Sequence, residues 1–284
     1  MPGKHLVLGI LGYPVSHSVS PMMHKEALNH WGIEGSYVPF EVKPRDIPAA
    51  ITGLKALGVK GVNVTIPHKQ TVIDHLDELD PVAQSVGAVN TIIFEGDRAI
   101  GYNTDGAGFI TSLKNDAGEV VEGKKVLLIG SGGAARGLAV KLAMDKAAGI
   151  FITNRTPERG IALVGHIRDK LSYPFVEFIR LEASLIRDII PEVEIVVNAT
   201  SVGMNGRDGL PVSLEGIDQR HLVCDIVYTP LETDFLKESS ERGARTLDGL
   251  GMLIHQGDLA FQIWTDKRFP SGKIRSILMK NLNL

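Results

Sequence analysis

Residues 125–156 read KVLLIGSGGAARGLAVKLAMDKAAGIFITNRT, and the reading of this stretch decides the fold. Val126 to Ile129 is an apolar run of the length of a buried parallel strand, and it stops at Gly130-Ser131-Gly132-Gly133, a cluster no regular element favours. Ala134 to Lys146 then carries strong helix formers, with Leu138 and Leu142 at helical spacing, and Ile150 to Thr153 supplies a second apolar strand. This is the pattern of a βαβ unit. With Gly130 and Gly132 as the first two glycines of a dinucleotide fingerprint, Ala135 takes the third place, where a small residue lets helix and strand pack closely. The helix beginning there points unpaired N–H groups and the positive end of its dipole at a pyrophosphate. A tight βα turn without a ligand has a similar composition, but here strand, turn, helix and second strand all fall at the required spacing.

The tip of the second strand separates the two nicotinamide cofactors. An NAD site places Asp or Glu about 20 residues on, to bind the ribose 2′-hydroxyl. This chain has Asn154-Arg155-Thr156 at the tip, with Arg159 one turn beyond. Two guanidinium groups and a hydroxyl suit the extra 2′-phosphate, so the expected cofactor is NADP. Thr156 is equally placed to cap a helix opening at Pro157.

At 284 residues, with 44% hydrophobic and 22% charged residues, the chain can bury a sizeable core and is long for one doubly wound domain, so two domains are expected. A net charge of -3 carries no footprint for nucleic acid or an anionic membrane, which leaves a small molecule as the partner. Cys224 is the single cysteine, which excludes an internal disulfide and a thiolate metal cluster and fits a reducing cytoplasm. Leu6 to Gly12 lacks a cleavage site and is too short to span a bilayer; it reads as a first strand. His17, His24, His68 and His75 lack ligand spacing, so no metal is expected.

After that strand, a hydroxyl-rich loop leads to Ser18-Val19-Ser20-Pro21 and a helix. Pro21 at the first helical position makes Ser20 the expected N-cap, yet two hydroxyls at a helix N-terminus suit a carboxylate as well. In Gly61 to Lys69, alternation sends Val62, Val64 and Ile66 to one face and Asn63 and Thr65 to the other, with Lys69 just past the turn at Pro67. A helical stretch is expected over Gln70 to Gly87, interrupted at Pro81. Ala88 to Phe94 and Ala99 to Thr104 then flank a hairpin turn, with Asn90 inside the first strand against β propensity. Asp105, taken singly, is the N-cap of a helix from Gly106 to Asn115. Strands at Pro174 to Ile179, Glu194 to Val197 and Leu222 to Val227 follow, and one rim collects Gly130, Asn154, Asn198 and Tyr228. Gln256 falls on the apolar stripe of a helix after Asp248-Gly249-Leu250-Gly251, where a buried amide requires a partner.

Taken together, the segments Ser18-Val19-Ser20-Pro21, Asn63-Val64-Thr65-Ile66-Pro67-His68-Lys69, Gly87-Ala88-Val89-Asn90-Thr91, Asn103-Thr104-Asp105-Gly106, Gly130-Ser131-Gly132-Gly133-Ala134, Asn154-Arg155-Thr156, Asn198-Ala199-Thr200-Ser201 and Gly251-Met252-Leu253 before Gln256 resemble the shikimate dehydrogenase family in type and order. The resemblance covers nearly the whole chain. It implies a two-domain α/β protein: an N-terminal α/β substrate domain, residues 1–104 with 250–284, whose C-terminal helices pack back on it, and a Rossmann-like doubly wound NADP domain, 105–249. It implies Ser18 and Ser20 on the substrate carboxylate, and Thr65, Lys69, Asn90, Asp105 and Gln256 on its hydroxyls and reacting oxygen, with Lys69 and Asp105 the acid–base pair. Tyr228 would touch the substrate, Ile226 and Gly249 would line the nicotinamide site, and Arg155 and Arg159 would hold the 2′-phosphate. Pro81 departs from the pattern, because some members carry an acidic residue there near a cofactor contact, and that contact is not carried over.

The implied reaction is reversible NADP-dependent reduction of 3-dehydroshikimate to shikimate, a step towards chorismate and the aromatic amino acids, by a cytoplasmic monomer or homodimer. Two other readings compete: a dual quinate/shikimate enzyme using NAD, which Arg at the strand tip disfavours, and a catalytically silent dinucleotide sensor, which has no need of Lys69, Asp105, Asn90 and Gln256 together.

Overall fold

The computed structural model describes residues 5–206 and 209–281. They form two compact units: residues up to Asp105 together with those from Ile254 onward, and Gly106–Leu253.

The first unit contains β1 (Leu6–Gly12), α1 (Ser20–His30), β2 (Gly35–Glu41), α2 (Ile47–Ala56), β3 (Gly61–Val64), β4 (Glu78–Leu79), α3 (Pro81–Val86), β5 (Thr91–Glu95) and β6 (Arg98–Tyr102). Its six-stranded sheet has the order β2-β1-β3-β5-β6-β4. The first three strands run parallel, and the β5–β6 hairpin joins them antiparallel. Leu11, Ile51, Leu54, Val62, Val64 and Ile92 build a core on one face of this sheet.

In the second unit α4 (Asp105–Asp116) leads to β7 (Lys125–Ile129), α5 (Gly133–Met144), β8 (Gly149–Asn154), α6 (Pro157–Leu171), β9 (Val176–Arg180), α7 (Ala183–Ile189), β10 (Ile195–Asn198), β11 (Leu222–Asp225), α8 (Asp234–Glu241) and β12 (Arg245–Leu247). The order β12-β11-β10-β7-β8-β9, all parallel, is the 3-2-1-4-5-6 order of a dinucleotide-binding sheet. Two more helices complete the chain, α9 (Leu250–Thr265) and α10 (Ser271–Asn281). From Ile254 onward they pack on the first unit: the Trp264 indole donates to the Ile92 carbonyl at 2.9 Å, and Lys273 pairs with Glu26 on α1 at 2.6 Å. Among the described residues no helix is long and apolar enough to cross a membrane.

Several elements differ from the sequence expectation. No helix spans Gln70 to Asp80; a 3-10 turn (Thr71–His75) and the short β4 stand there. The reason is the hairpin edge: the Asp77 N–H donates to the Ala99 carbonyl at 2.9 Å, and the Asp77 carboxylate takes the Ala99 N–H at 2.6 Å. Asn90 lies just before β5, yet its backbone still bridges the neighbouring strands, its N–H donating to the Tyr102 carbonyl at 3.0 Å and its carbonyl accepting the Val64 N–H at 2.8 Å, while its side-chain amide serves tertiary partners. β11 ends at Asp225 because that carboxylate captures the N–H of Val227 at 2.9 Å and bends the chain out of the sheet.

Gly61 leaves room for the Trp264 ring, which a Cβ there would strike. Gly61→Ala is therefore expected to destabilise the first unit by about 1–3 kcal/mol, through overpacking and the strained indole bond. Urea unfolding followed by tryptophan fluorescence measures it, and an unchanged midpoint would contradict this account of the contact.

Candidate active site

The first cluster is built on the loop after β3. His68 anchors that loop: its ring is buried, and Nε2 donates to the Val42 carbonyl at 2.7 Å. Lys69 comes next, and its own carbonyl accepts from the Val89 N–H at 2.7 Å, which joins this loop to the segment leading into β5. The Lys69 ammonium donates to Asp105 Oδ2 at 2.6 Å, with side chains only 15% and 5% exposed. Asp105 Oδ1 accepts from Asn90 Nδ2 at 2.8 Å. The same amide faces Thr104 Oγ1 at 2.9 Å and Gln256 Oε1 at 3.4 Å, while Asn90 Oδ1 accepts from the Thr104 N–H at 2.9 Å. Lys69, Asn90, Asp105 and Gln256 are thus brought together. Asp105 is not an N-cap, since α4 begins at Asp105 itself and both of its oxygens are committed to Lys69 and Asn90.

Ser18 and Ser20 lie at the start of α1, and Ser20 is not the cap either. The helix begins at Ser20, with Val19 in the cap position, because the Ser18 hydroxyl accepts the Ser20 N–H at 3.2 Å and draws the chain into helical geometry one residue early. The Ser20 hydroxyl acts on the Tyr37 phenol, lowering its pKa against the larger effect of burial. The Tyr37 hydroxyl donates to Asn63 Oδ1 at 2.7 Å, and the Asn63 amide donates to the Asn90 carbonyl at 3.2 Å and to Thr91 Oγ1 at 3.1 Å. A buried polar chain therefore runs from Tyr37 to Asn90. Thr65, half-buried, follows β3 on the same strand exit. Sequence reasoning gave Tyr37 and Thr104 no role in this chain and read Asn63 only as a polar group at a strand exit. Asn63 carried a signal, a polar side chain alternating with core valines, whereas Tyr37 carried none.

Behind Tyr37 the His24 ring stacks face to face, centroids 4.3 Å apart and planes 2° apart, within reach of Phe261, Trp264 and Phe269. Neither ring nitrogen makes a well-formed hydrogen bond. Burial pushes the imidazole pKa down to about 3, opposed in part by the Asn63 side chain, and burial likewise pushes the Tyr37 phenol well above its usual range.

The second cluster occupies the C-terminal rim of the parallel sheet. Gly130 adopts φ +114°, open to glycine at no steric cost, and a side chain there would meet the Ala199 carbonyl oxygen at 2.9 Å. Ser131 is buried, and α5 starts at Gly133 with Gly132 as a cap that offers no side chain to its N–H groups. No heavy atom lies within 4 Å of a Cβ built on Gly132, and Ala134 is only half-buried, so the turn has room for a pyrophosphate over uncapped donors. A dinucleotide phosphate fits these residues. At the β8 tip, Asn154 Nδ2 donates to the Thr156 carbonyl at 2.8 Å, and Arg155, Thr156 and Arg159 are exposed. Thr156 holds the cap position of α6 without a side-chain cap bond, so its hydroxyl is not spent on the helix.

Farther along the rim, Asn198 and Asp225 face each other in register on β10 and β11, with Asn198 Nδ2 donating to Asp225 Oδ1 at 3.0 Å. Ile226 follows, its N–H donating to the Asn198 carbonyl at 3.0 Å, and the Gly249 N–H donates to the Val227 carbonyl at 3.2 Å. Tyr228, half-buried, closes this loop; burial raises its phenol pKa. Burial also raises the Asp225 carboxyl to about 6, against hydrogen bonds from Val227, Thr233 and Asn198 that lower it. Among the described residues no group of His, Cys, Asp and Glu is arranged to hold a metal ion.

A parallel sheet in the dinucleotide order, in one chain with a lysine–carboxylate pair set among amides and hydroxyls, is the construction of a nicotinamide-dependent oxidoreductase. The family comparisons make that specific. A model of the shikimate dehydrogenase substrate-binding domain matches residues 10–92, one of shikimate/quinate 5-dehydrogenase matches 112–205, and one of the shikimate 5′-dehydrogenase C-terminal domain matches 249–279. A protein named shikimate dehydrogenase (NADP(+)) from Desulforamulus reducens is 42% identical over 99% of this chain and 97% of its own. Among solved structures, a shikimate dehydrogenase in complex with NADP+ is 42% identical with a TM-score of 0.91, covering 98% of this chain and 96% of its own. Shikimate 5-dehydrogenase from Thermus thermophilus, in complex with NADP(H) and shikimate, is 34% identical with a TM-score of 0.86, covering 97% and 99%. The chain belongs to the shikimate dehydrogenase family.

The neutral, buried His24 has a consequence for acid stability. Its pKa falls from 6.5 unfolded to about 3 folded, so below pH 6.5 the unfolded chain binds the extra proton and stability is lost as pH drops towards 3, by at most roughly 5 kcal/mol. His24→Phe keeps the ring stack and removes the titration. Its unfolding free energy is expected to fall less between pH 6.5 and 4 than that of the natural chain, as measured by urea titration at each pH; equal slopes would reject the assignment.

Proposed function

We propose that the chain catalyses the reversible reduction of 3-dehydroshikimate to shikimate with NADPH. The observation that carries this reading is the buried Lys69–Asp105 pair with Asn90 and Gln256 around it; family membership supports it over nearly the full length. The substrate domain is residues 1–104 with 250–284 and the cofactor domain 105–249, whereas the compact units group Asp105 with the first and begin the returning tail at Ile254.

Ser18 and Ser20 hold the substrate carboxylate at the α1 N-terminus, where the helix dipole favours an anion. Thr65, Asn90, Asp105 and Gln256 take the ring hydroxyls, and Tyr228 adds a contact to the substrate. Gly130, Ser131, Gly132, Gly133 and Ala134 cradle the pyrophosphate. Asn154, Arg155, Thr156 and Arg159 take the adenosine end, the two arginines on the 2′-phosphate, and Ile226 and Gly249 line the pyridine ring. Bound NADPH supplies the hydride to the ketone carbon. As that carbon is reduced, negative charge grows on oxygen, and Lys69 delivers its proton there while Asp105 fixes the ammonium in place. In the oxidising direction Lys69 receives the proton from the hydroxyl. The enzyme works in the cytoplasm, in keeping with a lone, buried cysteine, Cys224.

The test is a spectrophotometric assay at about 340 nm with shikimate and quinate, each against NADP and NAD. Turnover confined to shikimate and NADP is expected; preference for quinate with NAD would replace this reading, and no turnover with any pair would leave a binding protein. Lys69→Ala is expected to lower kcat by about 10²–10⁴-fold with little change in the KM for shikimate, and near-normal kcat would remove the acid–base role. Asp105→Asn should harm both. Replacing Arg155 and Arg159 together by Ala should raise the KM for NADP at least about tenfold and leave that for NAD nearly unchanged; equal losses with the two cofactors would speak against a 2′-phosphate contact.

A further inference from the structure

Asp225 is 2% exposed, ionisable and takes no part in the chemistry above. Burying a carboxylate is costly, and a leucine or threonine at the end of β11 would fill the place without that cost. What the carboxylate does is gather donors from three segments. Oδ1 accepts the Val227 N–H at 2.9 Å and Asn198 Nδ2 at 3.0 Å, and Oδ2 accepts the Thr233 hydroxyl at 2.8 Å. Thr233 is itself the cap of α8, accepting the Leu236 N–H at 3.3 Å.

Asn198 extends the arrangement towards the phosphate turn. Its Oδ1 accepts the Thr200 hydroxyl at 2.7 Å and the Thr200 N–H at 3.1 Å, curling residues 198–200 so that the Ala199 carbonyl stands against Gly130. On the other side, the carbonyls of Ile226 and Val227 lie so close to Gly249 that a Cβ there would collide with both. Gly130, Ile226 and Gly249, three of the residues assigned to the cofactor, are therefore spaced by one buried pair, Asn198 and Asp225.

We propose that Asp225, acting through Asn198 and the Val227 N–H, is a positioning residue for NADP: it sets the Ile226–Tyr228 loop relative to the Gly130 turn and so orients the pyridine half of the cofactor, while the adenosine half at Arg155 and Arg159 binds independently of it. This rests on the NADP reading of the second unit. A role confined to stability would weaken every ligand alike; a positioning role is selective for the half of the cofactor that the loop faces.

The selectivity is measurable on the full chain by calorimetric titration with NADP and with adenosine 2′,5′-bisphosphate, which lacks the pyridine half. Asp225→Ala is expected to weaken NADP at least about tenfold and the bisphosphate less than about twofold, and to lower kcat more than it changes the KM for shikimate. Asp225→Asn retains an acceptor for the Val227 N–H and should recover most of the loss. Thr233→Val removes the bond to Oδ2 along with the α8 cap; the lost cap lowers stability without distinguishing the two ligands, and a smaller loss of the same selective kind carries the test if the alanine chain does not fold. Equal weakening of both ligands, or NADP binding unchanged in these variants, would overturn the positioning role. A natural chain that binds no NADP would instead remove the functional reading and this proposal with it.

Discussion

Two opposite charges held at 2.6 Å and largely withdrawn from water, Lys69 and Asp105, set the terms for the first unit. A buried ion pair recovers its desolvation cost only when the remaining lone pairs and protons are met. Asn90 does this for Asp105, and its orientation is in turn fixed by Thr104 and Gln256. The β5–β6 hairpin and the return of α9 follow from this need, because they deliver those partners from distant parts of the sequence. A reactive group placed in such a shell is pre-oriented before any ligand arrives, which is where electrostatic catalysis draws its advantage.

The second unit meets a different constraint with a similar device. A parallel sheet leaves its strand ends with polar loops that have to be spaced for one long ligand. Here the spacing is set by side chains, as Asn198 and Asp225 link adjacent strand ends across the rim. The cost is a carboxyl group whose pKa is displaced to about 6 by burial.

What the sequence revealed depended on whether the signal was local. The βαβ unit was legible at 125–156 because strand length, the glycine run and helical spacing are properties of neighbouring residues. Lys69, Asn90, Asp105 and Gln256 stood out as polar groups at strand exits or on an apolar stripe, and the structure gathers them. The caps assigned to Ser20 and Asp105 failed for local reasons: the Ser18 hydroxyl takes the Ser20 N–H and the helix starts at Ser20 itself, while the Asp105 carboxylate is held by Lys69 and Asn90. Tyr37 and His24 were not legible at all, since their stacking joins α1 to β2 through a contact that no periodicity encodes. Of the helical stretch expected over Gln70 to Gly87, the part before Pro81 gives way to hydrogen bonds with a hairpin that follows it in the chain, and the part from Pro81 to Val86 forms.

The strand order of the second sheet carries an evolutionary consequence. The tip bearing Arg155 grows from β8 and the loop bearing Ile226 from β11, with β7 and β10 lying between them. Under the assignments proposed above, the choice of coenzyme pool and the alignment of the reacting ring are inherited on separate segments. Drift at the arginine tip can then trade one currency of reducing power for the other while stereochemistry at the distant end is conserved.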